Sequence, residues 1–190
     1  PPRRTCTIVV DGKAARSCVL TTKKAVGKTI LTVEGLTQAE QEAFVYAFGK
    51  VGAVQCGFCI PGMVMSGKAL LDQVPDPTED QIKQAIRGNV CRCTGYKKII
   101  EGITLAGAIL RGEAQADPAL ERGETYGVGA PAFRTDVRDK VLGRGEYVDD
   151  VRMEGMVHAS AVRSQYPRAR VLDIDPSPAL ALHRVLAVLT

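Results

Sequence analysis

The sequence predicts an α+β protein built from three stretches, and three observations carry that prediction. Between Thr37 and Gly112 apolar residues recur at helical spacing behind two capping boxes, Thr37-Gln38-Ala39-Glu40 and Thr78-Glu79-Asp80-Gln81. Before that stretch, short apolar runs flank the turn signal Asp11-Gly12. After a connector, strand-like alternation returns and continues to Thr190.

Residues 1–36 read as a small β-rich piece with no helix of its own. Thr7 to Val10 is a strand, Lys13 to Leu20 its hairpin partner, and Thr29 to Val33 a third strand between Gly27 and Gly35. Residues 37–112 read as four helices. The first runs from Thr37 to about Lys50, with Phe44, Val45, Phe48 and Val51 on one stripe. The second opens at Pro61, a residue suited to a first helical turn, and cannot pass Pro75. Met63 and Met65 on it are core residues. The third ends near Arg87 at Gly88-Asn89, and the fourth runs from Lys97 to Arg111 with a broad face of Ile99, Ile100, Ile103 and Ile109. Residues 113–130, rich in Glu, Ala, Gly and Asp and containing Pro118, are a connector. In residues 131–190, strands are expected at Met156–Val162, Arg170–Asp175 and Arg184–Leu189, with a short helix entered through Pro178.

Four of the six cysteines lie in two short motifs within the helical stretch. Cys56 and Cys59 form a C-x2-C, and after thirty-one intervening residues Cys91 and Cys93 form a C-x-C. Each pair precedes a helix start. Antiparallel helix pairs would bring both loops to one end, where helix N-termini lower thiol pKa values and favour metal ligation. Four thiolates suit an iron–sulfur cluster or a zinc ion; spacing alone leaves both open, together with disulfides or plain buried thiols. No signal-like stretch opens the sequence, so a reducing cytoplasm is expected and disfavours disulfides.

The sequence QCGFCIPGMVMSGKALL, followed by IRGNVCRCTGYKKIIEGI, resembles the second iron–sulfur domain of the molybdenum hydroxylases, the family of xanthine dehydrogenases and aldehyde oxidoreductases. The resemblance covers both cysteine pairs, the Gly88-Asn89 before the second and the Thr94-Gly95-Tyr96 after it. It implies a four-helix bundle holding one 2Fe-2S cluster on Cys56, Cys59, Cys91 and Cys93. It places Gln55 and Cys93 beside the pterin of the molybdenum cofactor.

Cys6-Thr-Ile-Val-Val-Asp-Gly-Lys, ending at Ser17-Cys18, resembles the back half of the plant-type ferredoxin domain that precedes the bundle in that family. Cys6 and Cys18 match its third and fourth ligands. Arg3 stands where the second is expected, so a remnant that cannot complete a second cluster alone is expected, from a truncated or altered N-terminus. On their own residues, Cys6 and Cys18 read as two buried structural thiols. Lys140-Val141-Leu142-Gly143-Arg144-Gly145-Glu146-Tyr147 and Arg163-Ser164-Gln165-Tyr166-Pro167-Arg168 resemble the opening of the molybdopterin-binding part, an α/β hammerhead domain. The resemblance puts the molybdenum ligands and the catalytic base outside these residues. No flavin segment separates the two parts, as in the aldehyde oxidoreductases or in enzymes whose flavin part is a separate subunit.

The implied function is electron transfer within an oxidoreductase acting on purines, aldehydes or N-heterocycles. Electrons pass from the molybdenum–pterin site through the cluster to a flavin subunit, ferredoxin or another acceptor, within a larger oligomer. The competing reading is a zinc-stapled module that docks a partner without redox activity. Composition fits either: the sequence is 45% hydrophobic and 24% charged, near the soluble average, with no tryptophan, so aliphatic side chains must fill the core. A net charge of +4 is too small to argue for nucleic-acid binding, and no apolar run is long enough for a membrane span. His158 reads as a core or interface residue rather than a ligand, and Asp149-Asp150 as a turn.

Overall fold

The computed structural model describes residues 6–117, 127–129 and 132–190. The expected ligand position at Arg3 and most of the connector around Pro118 lie outside the described residues. Contacts divide the chain into two units, residues 1–150 and 151–190.

The first unit opens with a three-stranded antiparallel sheet in the order β2-β1-β3, where β1 is Thr7–Val10, β2 is Lys13–Arg16 and β3 is Ile30–Leu31. Thr7 pairs with Arg16 and Val10 with Lys13, so the turn between them is the two-residue Asp11-Gly12. Both turn residues have positive φ, 47° and 77°, as a primed hairpin turn demands. Asp11 also accepts the Thr29 N–H at 2.9 Å and pairs with Lys28 at 2.7 Å, which brings the third strand back. β2 stops four residues short of the expected end, because the Ser17 N–H donates to the Cys6 carbonyl and the chain turns into a 3-10 helix at Ser17–Val19. The expectation of no helix in this piece is also corrected. Helix α1, Thr22–Ala25, forms there, capped by the Thr21 hydroxyl.

Helices α2 (Gln38–Val51), α3 (Ile60–Leu71), α4 (Glu79–Ile86) and α5 (Tyr96–Leu110) follow the expected bounds closely. Both capping boxes are closed, Thr37 with Glu40 and Thr78 with Gln81. Phe44, Phe48, Ile60, Met63, Met65, Ile82, Ile99 and Ile103 are all less than 2% exposed and form the core. Helices α2 and α5 approach closely at Gly102, where a Cβ would come 2.9 Å from the Phe48 ring. A buried polar chain ties the sheet to the bundle. Asn89 donates to the Thr7 hydroxyl at 3.0 Å and accepts from the Ser66 hydroxyl at 3.0 Å.

Residues 133–150 pack onto these helices. Helix α6, Val137–Val141, buries Val137, Val141 and the following Leu142. Arg138 grips Glu42 of α2 with two hydrogen bonds, and the Phe133 ring lies 5.6 Å from that of Tyr46. The contact boundary therefore falls after Asp150, whereas the sequence grouping opens the C-terminal piece at residue 131.

In the second unit the three expected strands are not formed, and only helix α7, Ser177–Leu180, is regular. Alternation gives a strand its two faces, but a strand exists only with a ladder partner. No described residue after Asp150 is buried, and Val162, Leu186 and Leu189 are exposed. Among the described residues no helix is long and apolar enough to cross a membrane.

One interaction in the bundle is set for a pH test. Lys68 on α3 is 11% exposed and pairs with Glu40 at 2.9 Å and with Asp72. Burial pushes the Glu40 carboxyl upward, but Lys68 and the Thr37 donors pull it further down, below the usual carboxylate range. A depressed folded pKa adds stability above the unfolded value, about 4.3, that is lost as pH falls through the folded value. Glu40→Gln keeps the capping box and loses the charge. It should cost about 2 kcal/mol at neutral pH, and urea unfolding should show the gap to wild type closing below about pH 4.

Candidate metal centre

Two loops converge on one end of the bundle. The first leaves α2 through Gly52, whose φ of 69° ends the helix, then buries Ala53 and Val54 beneath Gln55 and Cys56. Gly57 reverses the chain at φ 84°, and Cys59 is the N-cap of α3. The second loop leaves α4 over the buried Asn89, carries Cys91 and Cys93, turns through Thr94 at φ 60° and enters α5 at Gly95. The loops touch. A Cβ on Gly95 would lie 3.6 Å from the Gln55 side-chain nitrogen and 3.8 Å from the Cys91 sulfur.

The four thiols divide by depth. Cys59 and Cys91 are buried, Cys93 is half-buried and Cys56 is exposed. They neighbour one another in series: Cys59 lies by Cys91, and Cys93 lies by both Cys56 and Cys91. Among the described residues no three Cys, His, Asp or Glu side chains are gathered closely enough to hold one metal ion. Four neighbouring thiols are a donor set that an iron–sulfur cluster or a zinc ion can use.

Electrostatics separate the thiols further. Burial, and then the charge of Cys91, pushes the Cys59 thiol up to about 12. This reverses the expectation of an acidified thiol at a helix N-terminus, because desolvation outweighs the helix field there. Cys93 moves the other way, lowered first by the Cys56 N–H and then by the Cys56 thiol. A cation is what makes a buried Cys59 thiolate tolerable, so the donor set fits a cationic metal centre. The Gly95 N–H reaches the Cys91 sulfur at 3.5 Å, and the Cys91 N–H donates to the Tyr96 hydroxyl at 2.8 Å. Tyr96 is therefore a half-exposed brace for the second loop rather than a core residue.

Sequence reasoning gave no role to Arg134, Asp136, Lys140 and Tyr147, which all reach this end of the bundle. Arg134 donates to the Gln55 carbonyl at 2.9 Å, and the Tyr147 hydroxyl to the Cys56 carbonyl at 3.0 Å. Their partners lie 79 and 91 residues away, so no local pattern could report them. Cys6, just ahead of β1, and Cys18, in the 3-10 helix after β2, have their sulfurs 3.1 Å apart and are half-buried and exposed, which corrects the reading of two buried thiols. Two thiols are half of a four-ligand set, and no other described His, Cys, Asp or Glu group joins them to hold a metal. His158 is exposed, not in a core, and Asp149 and Asp150 lie in a 3-10 turn as read. A cavity of about 370 Å3, lined by Glu79, Lys83, Lys97, Ile100 and Glu101, contains none of the thiols.

Comparison with known proteins gives two family matches. Residues 32–104 match the family described as 2Fe-2S binding domain. Residues 142–190 match the aldehyde oxidase and xanthine dehydrogenase, a/b hammerhead domain. The aldehyde oxidoreductase of Megalodesulfovibrio gigas is 34% identical over 97% of this chain and 21% of its own length. The nicotinate dehydrogenase small FeS subunit of Eubacterium barkeri is 42% identical over 53% of this chain and 65% of its own length. The chain thus spans about a fifth of the first relative and just under two thirds of the second. The crystal structure of quinoline 2-oxidoreductase from Pseudomonas putida 86 matches with a TM-score of 0.50 and 40% identity, over 60% of this chain and 72% of that one.

The division of thiols by depth can be read chemically. In metal-free protein, pulse alkylation at pH 7.5 with peptide mapping should label Cys93 at least about a hundredfold faster than Cys59, whose thiolate fraction is far smaller. Equal rates after correction for a denatured control would contradict the electrostatic asymmetry.

Proposed function

Because the chain belongs to the molybdenum hydroxylase family, we propose that it supplies an electron-transfer part of such an enzyme. In this reading residues 37–112 are a 2Fe-2S domain whose ligands are Cys56, Cys59, Cys91 and Cys93. The observation that carries it is the meeting of two cysteine loops at the starts of α3 and α5, with the four thiols neighbouring one another in series. The buried pair, Cys59 and Cys91, would hold one iron, and the outer pair, Cys56 and Cys93, the other.

A bound cluster supplies one-electron transfer at a metal centre. The chain's own residues do the rest. Ala53, Val54 and Ile60 shield the inner pair from water, and the Gly95 N–H at the Cys91 sulfur offsets negative charge there. Gln55, Cys56, Arg92 and Thr94 form an exposed edge beside Cys93, the side through which electrons would arrive. We place the molybdenum–pterin cofactor against Gln55 and Cys93 on this edge, held mostly by residues beyond this chain.

The partners we propose are a molybdenum-binding catalytic domain or subunit, and a flavin subunit, ferredoxin or another acceptor. The substrate class is that of the family: aldehydes, purines or N-heterocycles. The setting is a reducing one, the cytoplasm. Residues 131–190 would belong to the hammerhead domain, joined through 113–130, and residues 1–36 to a ferredoxin-like domain, to which Cys6 and Cys18 would contribute two thiols. A zinc staple is not favoured, because the matching family is a 2Fe-2S binding domain.

Metal and acid-labile sulfide analysis of anaerobically purified protein tests this directly. About two iron and two sulfide per chain are expected, with a visible spectrum that bleaches with dithionite. Cys59→Ser should lose or shift that spectrum. One zinc without sulfide would replace the redox reading with the structural one.

A further inference from the structure

The residues that follow the connector do more at the cysteine end than complete the core. Arg134 and Tyr147 donate to the carbonyls of two consecutive residues, Gln55 and Cys56, at 2.9 and 3.0 Å. Both acceptors belong to exposed residues, where water would serve equally well for stability. Between them, the Lys140 side chain lies so close to Gly57 that a Cβ there would come within 2.4 Å of it. The Tyr147 ring meets the Phe58 ring edge-on at 5.9 Å, and the Lys140 ammonium lies 5.6 Å from the Tyr147 centroid. Four consecutive residues, Gln55 to Phe58, are thus each touched from one segment.

That segment is itself fixed. Val137, Val141 and Leu142 are buried, and Arg138 is bound to Glu42 of α2. Asp136 holds Arg134 with two hydrogen bonds, at 2.7 and 2.9 Å, and Lys140 pairs with the same carboxylate at 2.9 Å. A guanidinium gripped in this way presents its remaining N–H in a set direction rather than sweeping through solvent. The three charges sum to one net positive charge beside the outermost thiol.

We propose that residues 134–147 are a clamp on the first cysteine loop, in which Arg134 and Tyr147 are positioning residues. They fix the Gln55–Cys56 backbone and make the cluster held there easier to reduce. The effect on the cluster rests on the function proposed above; the clamping of the loop does not. The charge sets the direction of the effect, and the clamp sets the geometry in which it acts. Reduction adds a negative charge, which a nearby net positive charge stabilises. Holding both carbonyls toward donors outside the loop also fixes where the Cys56 sulfur stands relative to Cys93.

The test uses the full chain with Arg134→Gln, Arg134→Lys and Tyr147→Phe, all at partly or fully exposed positions, so that folding is retained. The first readout is backbone hydrogen exchange in metal-free protein. In Arg134→Gln and Tyr147→Phe the 55–59 amides should exchange at least about fivefold faster, with α2 and α5 unchanged. Unchanged exchange in both would overturn the clamp, whatever the metal content. The second readout is a potentiometric titration of chain loaded with iron and sulfide. Arg134→Gln should weaken reduction by up to about tenfold, equivalent to ~59 mV for a one-electron couple. Arg134→Lys, which keeps the charge, should recover most of that shift. Faster exchange with a wild-type potential would leave a clamp of purely structural effect and remove the tuning. Faster exchange in a chain that takes up no iron or sulfide would preserve the clamp and defeat the electron-transfer reading instead.

Discussion

A buried thiolate is tolerable only beside a cation, and the first unit is organised around that constraint. Cys59 and Cys91 lie inside the bundle, and burial drives the Cys59 thiol strongly toward its neutral form. Without a metal the Cys59 thiol stays neutral beside Cys91; with one the two can become ligands. Metal binding and the release of the Cys59 proton are therefore one event, and the folded bundle supplies the geometry in advance. Gly52, Gly57 and Thr94 take the positive φ values that bring both loops to the same end, and Asn89 anchors the second loop from below.

The second loop is placed from the buried face of the sheet. Asn89 sits between the Ser66 and Thr7 hydroxyls, so the position of Cys91 depends on α3 and on β1 together. Buried polar groups joined in this way are costly to break and have one good arrangement, which is how a short polar chain specifies geometry that apolar packing alone leaves loose. Lys68, Glu40 and Asp72 do the same between the start of α2 and the end of α3. The apolar core of Phe44, Phe48, Ile99 and Ile103 supplies the burial, while these polar contacts fix which surfaces meet.

The features legible in the sequence were those with local causes. Two capping boxes, Pro61 and the Gly-Asn at residues 88–89 mark helix ends within one turn of the chain, and the helices stand where those signals put them. The four thiols were identifiable because cysteine spacing is itself the chemistry. The sign of the Cys59 shift was not legible: a helix start predicts acidification, and only the packed structure reveals that desolvation is larger. The strands expected after Met156 failed for a related reason, since alternation describes faces and says nothing about partners. Arg134 and Tyr147 were missed because their acceptors are backbone carbonyls, which leave no trace in side-chain patterns.

Those two contacts alter how the chain's parts relate. A cysteine loop tied only to its own helices would respond only to the bundle. Here the loop that carries Cys56 is also tied to Tyr147, within the matched residues 142–190 that the family places at the start of the hammerhead domain. A displacement of helix α6 would move Arg134, Lys140 and Tyr147 together, because Asp136 links the two cations and Lys140 lies over the tyrosine ring. The net positive charge and the loop backbone would then shift at the same time. The clamp acts on the loop that carries Cys56 and leads into Cys59, while the loop of Cys91 and Cys93 keeps its own anchor in Asn89. Each depth pair takes one thiol from each loop, so a shift of helix α6 would move one side of the whole thiol set against the other.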